Sequence, residues 1–191
     1  MTTTKETIKK TLLRLLEEHS ADQLSVKMVC IEAGISKQTL YNHYFSLMDA
    51  LDEAFTGEIA KDMENCSTYD SWVEGFRVFL NFLYSRKKVI LHIYYSSYRD
   101  ELMSTMEKYG RKLVEKAISD CSRDFDVRVS DKDRGFMLDF YMNIFMGIIR
   151  DYLDERMEED PEYISSRCDA MLRYHIRNSL RNIRDLEKGL F

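Results

Sequence analysis

Residues 25–44 read SVKMVCIEAGISKQTLYNHY, and the fold turns on how this stretch is parsed. Ser25 is an N-cap residue type placed before a short apolar segment holding Met28, Val29 and Ile31. Ala33-Gly34 closes that segment, because Gly34 can take the positive φ of a helix C-cap without steric cost. Ser36 then caps a second short helix, expected over Lys37 to Tyr44. Two helices joined by so tight a turn must cross steeply, and the contact must be small or aliphatic. Val29, Ala33, Ile35 and Leu40 supply it. This is the layout of a helix-turn-helix. Its second helix has to project polar side chains, and Lys37, Gln38, Thr39, Asn42 and His43 are such side chains. Gln and Asn pair bidentately with adenine in a major groove, and Lys reaches guanine O6/N7. The hydroxyls of Tyr41 and Tyr44 are long enough for a phosphate. An ordinary helical hairpin buried in a core is the competing reading of the block.

Helical periodicity extends on both sides. Residues 5–19 carry Ile8, Leu12, Leu15 and Leu16 on one stripe. Ser46 with Asp49 three residues on resembles a capping box, opening a helix to about Cys66. The stretch Cys66-Ser-Thr-Tyr-Asp70 is the candidate break, which divides the chain into domains at 1–66 and 67–191. Further helices are expected near 70–85, 88–97, 99–122, 131–157 and 161–187. In 136–153, Phe136/Met137, Phe140/Tyr141, Ile144/Phe145 and Ile148/Ile149 recur every four residues, with Leu138, Met142 and Met146 as a third column. A helix apolar on three sides must be covered from more than one direction, and in a chain this short one cover is another subunit. The last helix opens on Asp160 as N-cap and Pro161 at its first position. Its stripe is Ile164, Cys168, Leu172, Ile176, Leu180 and Ile183, and Arg167, Arg173, Arg177, Arg181 and Arg184 read as its solvated face. The architecture expected is all-α.

Composition agrees. One proline and seven glycines among 191 residues are too few for the turns of a β-rich fold. The four cysteines, Cys30, Cys66, Cys121 and Cys168, form no C-x-x-C pair, which fits a reducing cytoplasm; Cys66, near the break, is the best redox candidate. The longest apolar run, Phe136 to Ile149, is too short to span a bilayer, and the N-terminus lacks a signal-peptide core. A soluble cytoplasmic protein is expected. The net charge of −5 does not advertise nucleic acid. Local charge does not exclude it: residues 1–47 hold six basic and five acidic groups, whereas 48–64 hold one and six.

Residues 7–55 resemble the N-terminal domain of the TetR family of transcriptional regulators. TIKKTLLRLLEEH, SVKMVCIEAGISKQTLYNHYFS and DALDEAF carry the likeness, with AGISKQTLYNHY its most specific part. More loosely, FYMNIFMGIIRDYLDERM at 140–157 is similar to the branch containing dihydroxyacetone-kinase regulators. The resemblance implies a helix-turn-helix DNA-binding domain followed by a helical ligand-binding and dimerisation domain. It implies a homodimer, a repressor in the usual case, that binds palindromic operator DNA. Lys27 matches a base-reaching position, Lys37, Gln38, Thr39 and Asn42 groove-facing ones, and Ser25, Thr39, Tyr41 and His43 phosphate-touching ones. Ser36 and Tyr44 complete the expected DNA-binding set. The implied dimer interface of the last two helices falls here on Met146, Gly147, Arg150, Leu172, Ile176, Leu180 and Ile183. One departure stands out: the family's lysine after the position of Ser46 is Leu47 here, followed by Met48, which removes a phosphate contact.

For a small-molecule effector, Trp72, Phe76, Phe79, Tyr94, Tyr95, Tyr98, Tyr141 and Phe145, with His92 as a polar handle, suit a pocket lining as well as plain core. An enzyme is not expected. The residues three before His19, His43, His92 and His175 are Leu16, Leu40, Val89 and Leu172, so no Glu-x-x-His pair exists, nor H-E-x-x-H, nor a glycine-rich phosphate loop. No cofactor or metal is expected. The remaining alternative is a partner-dependent co-activator, or interaction module, with weak DNA binding of its own.

Overall fold

The structure is a computed structural model that describes residues 3–64 and 72–190. The expected break at 66–70, and Cys66 with it, lie outside the described residues. Every described element is helical: α1 (Thr4–Glu18), a 3-10 turn (Ala21–Gln23), α2 (Val26–Ala33), α3 (Lys37–Tyr41), α4 (Leu47–Glu64), α5 (Trp72–Ser85), α6 (Lys87–Tyr94), α7 (Arg99–Asp124), α8 (Asp131–Asp154), α9 (Pro161–Leu172) and α10 (His175–Glu187). The contacts divide the chain into two compact units. The first is Met1–Lys61 with Ser85–Thr105; the second is Asp62–Tyr84 with Met106–Phe191. The α6 segment thus belongs to the first unit although it follows residue 67 in the chain.

The first unit is built from local caps. Thr3 and Glu6 form a capping box on α1. Ser25 Oγ accepts the Met28 N–H at 3.1 Å and starts α2; Gly34, at φ 65°, ends it. Ile8, Leu12 and Leu16 of α1, Val29 of α2 and Leu40 of α3 are fully enclosed. Residues from α6, Ile90, Ile93 and Tyr94, are buried in the same unit. Its helix α3 is shorter than the Lys37–Tyr44 expected. The N–H groups of His43 and Tyr44 both turn back to the Leu40 carbonyl, so the chain leaves α3 through a tight turn after Tyr41.

The second unit packs α5 and α7–α10 around Phe76, Phe79, Leu80, Val114, Ile118, Phe145 and Ile149. The Phe145 ring lies 5.1 Å from that of Phe76 and 5.5 Å from that of Phe79. Gly110 lets α7 approach α8 closely, since a Cβ there would meet the Phe145 ring at 2.6 Å. On α8, two of the three apolar columns are covered within the chain. The third is not: Phe136 is 68% and Phe140 45% exposed, and Ile144 and Ile148 are half-buried.

The single helix expected over 161–187 is broken. Arg173 ends α9, and Tyr174 takes the left-handed conformation at φ 62° before α10 begins. The stripe survives the break, because Cys168, Ile176 and Leu180 are all buried. The arginine row is not uniformly solvated either. Arg173 pairs with Asp169 and Arg184 with Asp185, and Arg177 is half-buried. Among the described residues no helix is long and apolar enough to cross a membrane. Cys30, Cys121 and Cys168 are buried and form no disulfide with one another, and burial pushes the Cys168 thiol up.

Candidate nucleic-acid interface

In the first unit, α3 is buried on one side and open on the other. Leu40 is fully buried, while Lys37, Gln38, Tyr41, Asn42 and His43 are exposed, as are Ser25, Lys27 and Ser36 at the two helix starts. Thr39 is half-buried. The serines are committed as caps: Ser36 Oγ accepts the Thr39 N–H at 3.0 Å and lies 2.9 Å from the Thr39 hydroxyl. The Gln38 side-chain amide donates to Asn42 Oδ1 at 2.9 Å. Two amides one turn apart are thereby held in a fixed mutual orientation, with donors and acceptors to spare.

Tyr44 is a correction. It is 2% exposed, and its hydroxyl is buried in the first unit, so it offers nothing to a phosphate at the surface. Burial, then the neighbouring Glu53 charge, pushes its phenol up to about 12. Lys5 lies over its ring at 5.1 Å and also pairs with Glu53 at 2.7 Å; Lys9 pairs with the same carboxylate at 3.3 Å. These pairs hold the Glu53 carboxyl below its ordinary range. Two of the six cations in residues 1–47 are therefore matched by a carboxylate from α4.

Sequence reasoning passed over Phe45, which is 92% exposed between the turn that ends α3 and the start of α4. Its N–H donates to the Asp49 carboxylate at 3.0 Å, while Ser46 Oγ accepts the Asp49 N–H at 3.1 Å. The cap expected at Ser46 exists, but its carboxylate reaches one residue further back than in a standard capping box. An aromatic placed directly after the buried Tyr44 was the available signal.

The aromatic set expected to line a pocket is split between the units. Phe76, Phe79, Tyr141 and Phe145 come together in the second. His92, Tyr95 and Tyr98 belong to the first, where the His92 Nδ1–H donates to the Leu16 carbonyl at 2.6 Å. The side chain of Trp72 lies outside the described residues. Phe76, Val114, Tyr141, Phe145, Cys168 and Ile176 line a narrow apolar crevice whose rim is Ile144, Ile148 and Leu172. Its volume is about 10 Å³, room for about one water. At its edge the Tyr141 hydroxyl lies 2.8 Å from His175 Nδ1 and 3.1 Å from Ser179 Oγ. Burial pushes the Tyr141 phenol up to about 12.

Of the residues expected at a dimer interface, Ile176 and Leu180 are 5% and 1% exposed within one chain, so the core of the protomer already covers them. Their stripe faces inward because α10 packs it against its own unit. Met146, Gly147, Leu172 and Ile183 are half-buried and Arg150 is exposed. Among the described residues no group of three His, Cys, Asp or Glu side chains could hold a metal ion.

The TetR_C_8 family, described as transcriptional regulator C-terminal region, matches residues 70–174. Comparison with curated proteins gives no match. Among solved structures, the dihydroxyacetone kinase operon activator DhaS is similar at a TM-score of 0.65 and 19% identity, covering 91% of this chain and 96% of that one. The transcriptional regulator FadR from Bacillus subtilis, in complex with stearoyl-CoA, reaches 0.60 at 12% identity, covering 91% and 96%. The repressor AlkX from Dietzia sp. strain DQ12-45-1b reaches 0.50 at 19% identity, covering 93% and 97%. At these identities the likeness is one of fold.

Proposed function

The chain belongs to the TetR family of transcriptional regulators, and from that premise we propose that it binds a palindromic operator as a homodimer. In this reading α3 enters the major groove. Lys37, Gln38 and Asn42 read base edges with Lys27, while Ser25, Ser36, Thr39, Tyr41 and His43 hold the backbone. The observation that carries it is the asymmetry of α3: an enclosed Leu40 beneath a row of exposed polar side chains with unused donors and acceptors. The modest local charge makes weak non-specific affinity the expectation, because phosphate neutralisation supplies most of that term.

The column of exposed Phe136 and Phe140 and half-buried Ile144, with Gly147 on the same helix, supports α8 as the centre of the dimer contact. An isologous contact uses the same patch twice, so one uncovered apolar column suffices. The crevice behind Ile144 and Ile148 supports an apolar effector that opens it, since its present volume admits no larger molecule. The stearoyl-CoA bound to FadR is a precedent for an apolar ligand in this fold. An effector of this kind lowers or raises DNA affinity by preferring one separation of the two heads.

A second reading keeps weak DNA binding and adds a protein co-regulator. The apolar Phe45, Leu47 and Met48, where a lysine–phosphate contact is usual in the family, favour it. Selection from a random DNA pool by the purified protein at low salt decides between them. An enriched palindrome with half-sites about 34–36 Å apart supports the operator reading. No enrichment from a folded dimer supports the partner-dependent one.

A further inference from the structure

We propose that Arg177 and Arg181 of α10 form a binding site for an oxyanion, the phosphate or carboxylate group of a small ligand. The argument starts at the break between α9 and α10. Tyr174 sits at φ 62° and ψ 3°, a conformation that a bulky residue adopts only when its surroundings hold it there. The outcome of that strain is the position of its ring. The guanidinium carbon of Arg177 lies 5.0 Å from the Tyr174 ring centre and 5.1 Å from that of Phe125. One turn on, the Arg181 guanidinium lies 5.7 Å from the same Phe125 ring. Aromatic faces hold planar guanidinium groups and leave their in-plane N–H donors unused.

Those donors have no taker among the described residues. Neither Arg177 nor Arg181 makes a hydrogen bond or ion pair among the described residues, and Arg177 Nε is buried without an acceptor. Carboxylates near them along the chain are committed elsewhere. Asp169 holds Arg173, Asp185 holds Arg184, and Glu187 accepts the Ser130 N–H at 2.8 Å. Asp126, next to Phe125, is exposed and pairs with neither arginine. Two like charges one turn apart repel, and a desolvated N–H without a partner is costly. An oxyanion between the two groups relieves the repulsion directly and draws on the outer guanidinium nitrogens, and a paired-donor fork is the geometry that phosphate and carboxylate groups accept. None of the residues lining the apolar crevice is charged, so the two features take different chemistry. The site lies within the second unit and does not depend on the DNA reading.

The test uses the full-length protein. Its arginine Nε–H resonances are followed by NMR at fixed ionic strength during titration with pyrophosphate and, separately, with citrate. The Arg177 signal is expected to move saturably with one or both, and the better anion names the group. By calorimetry, Arg177→Gln with Arg181→Gln should weaken that anion about tenfold or more, while Arg173→Gln with Arg184→Gln, which removes the same charge from carboxylate-paired arginines, should stay within about twofold. No saturable shift with either anion overturns the proposal. Equal losses in the two double variants overturn it as general charge screening. A shift that follows protein concentration without added anion overturns it in favour of a carboxylate from a second copy. If the double variant fails to fold by circular dichroism, the titration of the unaltered protein decides alone.

Discussion

The carboxylate of Asp22 accepts two hydrogen bonds from Ser97, one from the backbone N–H at 3.0 Å and one from the hydroxyl at 2.6 Å. Asp22 lies in the 3-10 turn between α1 and α2, and Ser97 lies just before α7. With the His92–Leu16 bond, this contact ties the end of α6 to the rest of the first unit. Both Ser97 donors favour the ionised carboxylate and hold it below its ordinary value of 3.8. A lowered carboxyl stabilises the fold at pH above that ordinary value, and the contribution is lost as pH falls through the lowered one. The Asp22 carboxyl carbon should therefore titrate with a midpoint below 3.8, and the Ser97 amide signal should follow it. Asp22→Ala should speed amide exchange at Ser97. Unchanged exchange would mean that the pair is not held in solution.

Helix ends were legible where a residue type dictates its own backbone: Ser25, Gly34, Ser36 and the Asp160-Pro161 pair each act within one turn. The break at Tyr174 was not, because no glycine or proline marks it and the apolar stripe runs through it unbroken. His92, Tyr95 and Tyr98 were grouped with Phe76 and Phe145 on residue type alone. The hydrogen-bond partner of His92, Leu16, is more than seventy residues away in sequence, and no local pattern reports that. Tyr44 could have been placed correctly. It stands four residues after Leu40, on the face already assigned to the core.

Two glycines on neighbouring helices separate folding from association. A Cβ at Gly147 meets nothing within 4 Å in the single chain, whereas one at Gly110 meets the Phe145 ring, itself wedged between Phe76 and Phe79. Gly110→Ala should destabilise by about 1–3 kcal/mol through overpacking. Its thermal midpoint should fall by about 2–4 °C for each kcal/mol in a protein of this size. Gly147→Leu should leave the protomer folded and weaken self-association if α8 makes the dimer contact. An equally tight dimer by sedimentation would remove Gly147 from the interface.

Tyr44, Tyr141 and Tyr152 are all pushed up to about 12, chiefly by burial. A phenol whose folded value is raised contributes its stability in full below the unfolded value of about 10, and that stability is lost as pH rises toward 12. The alkaline absorbance titration should therefore show a late step that disappears on unfolding in urea. Tyr141→Phe should remove part of that step. It should also lower stability by about 1–2 kcal/mol, because His175 and Ser179 lose their shared partner. A substitution with no effect on the urea midpoint would show that water replaces the hydroxyl at no cost.

The Gln38–Asn42 bond makes the operator reading more specific than a list of exposed polar residues. Bonded amides read bases as one unit, so their losses should not add. Gln38→Ala should cost roughly 1–3 kcal/mol and relax preference at one operator position. Asn42→Ala should blur the same position or its neighbour, and the double variant should cost less than the sum. Tyr41, 53% exposed on the same helix, has a hydroxyl suited to a phosphate. Tyr41→Phe should weaken every sequence equally and leave the selected profile unchanged. Affinity titrations on the selected operator and its single-base variants measure all four. Strict additivity would show that the two amides act separately, and a base-specific loss in Tyr41→Phe would move that residue from the backbone to the groove floor.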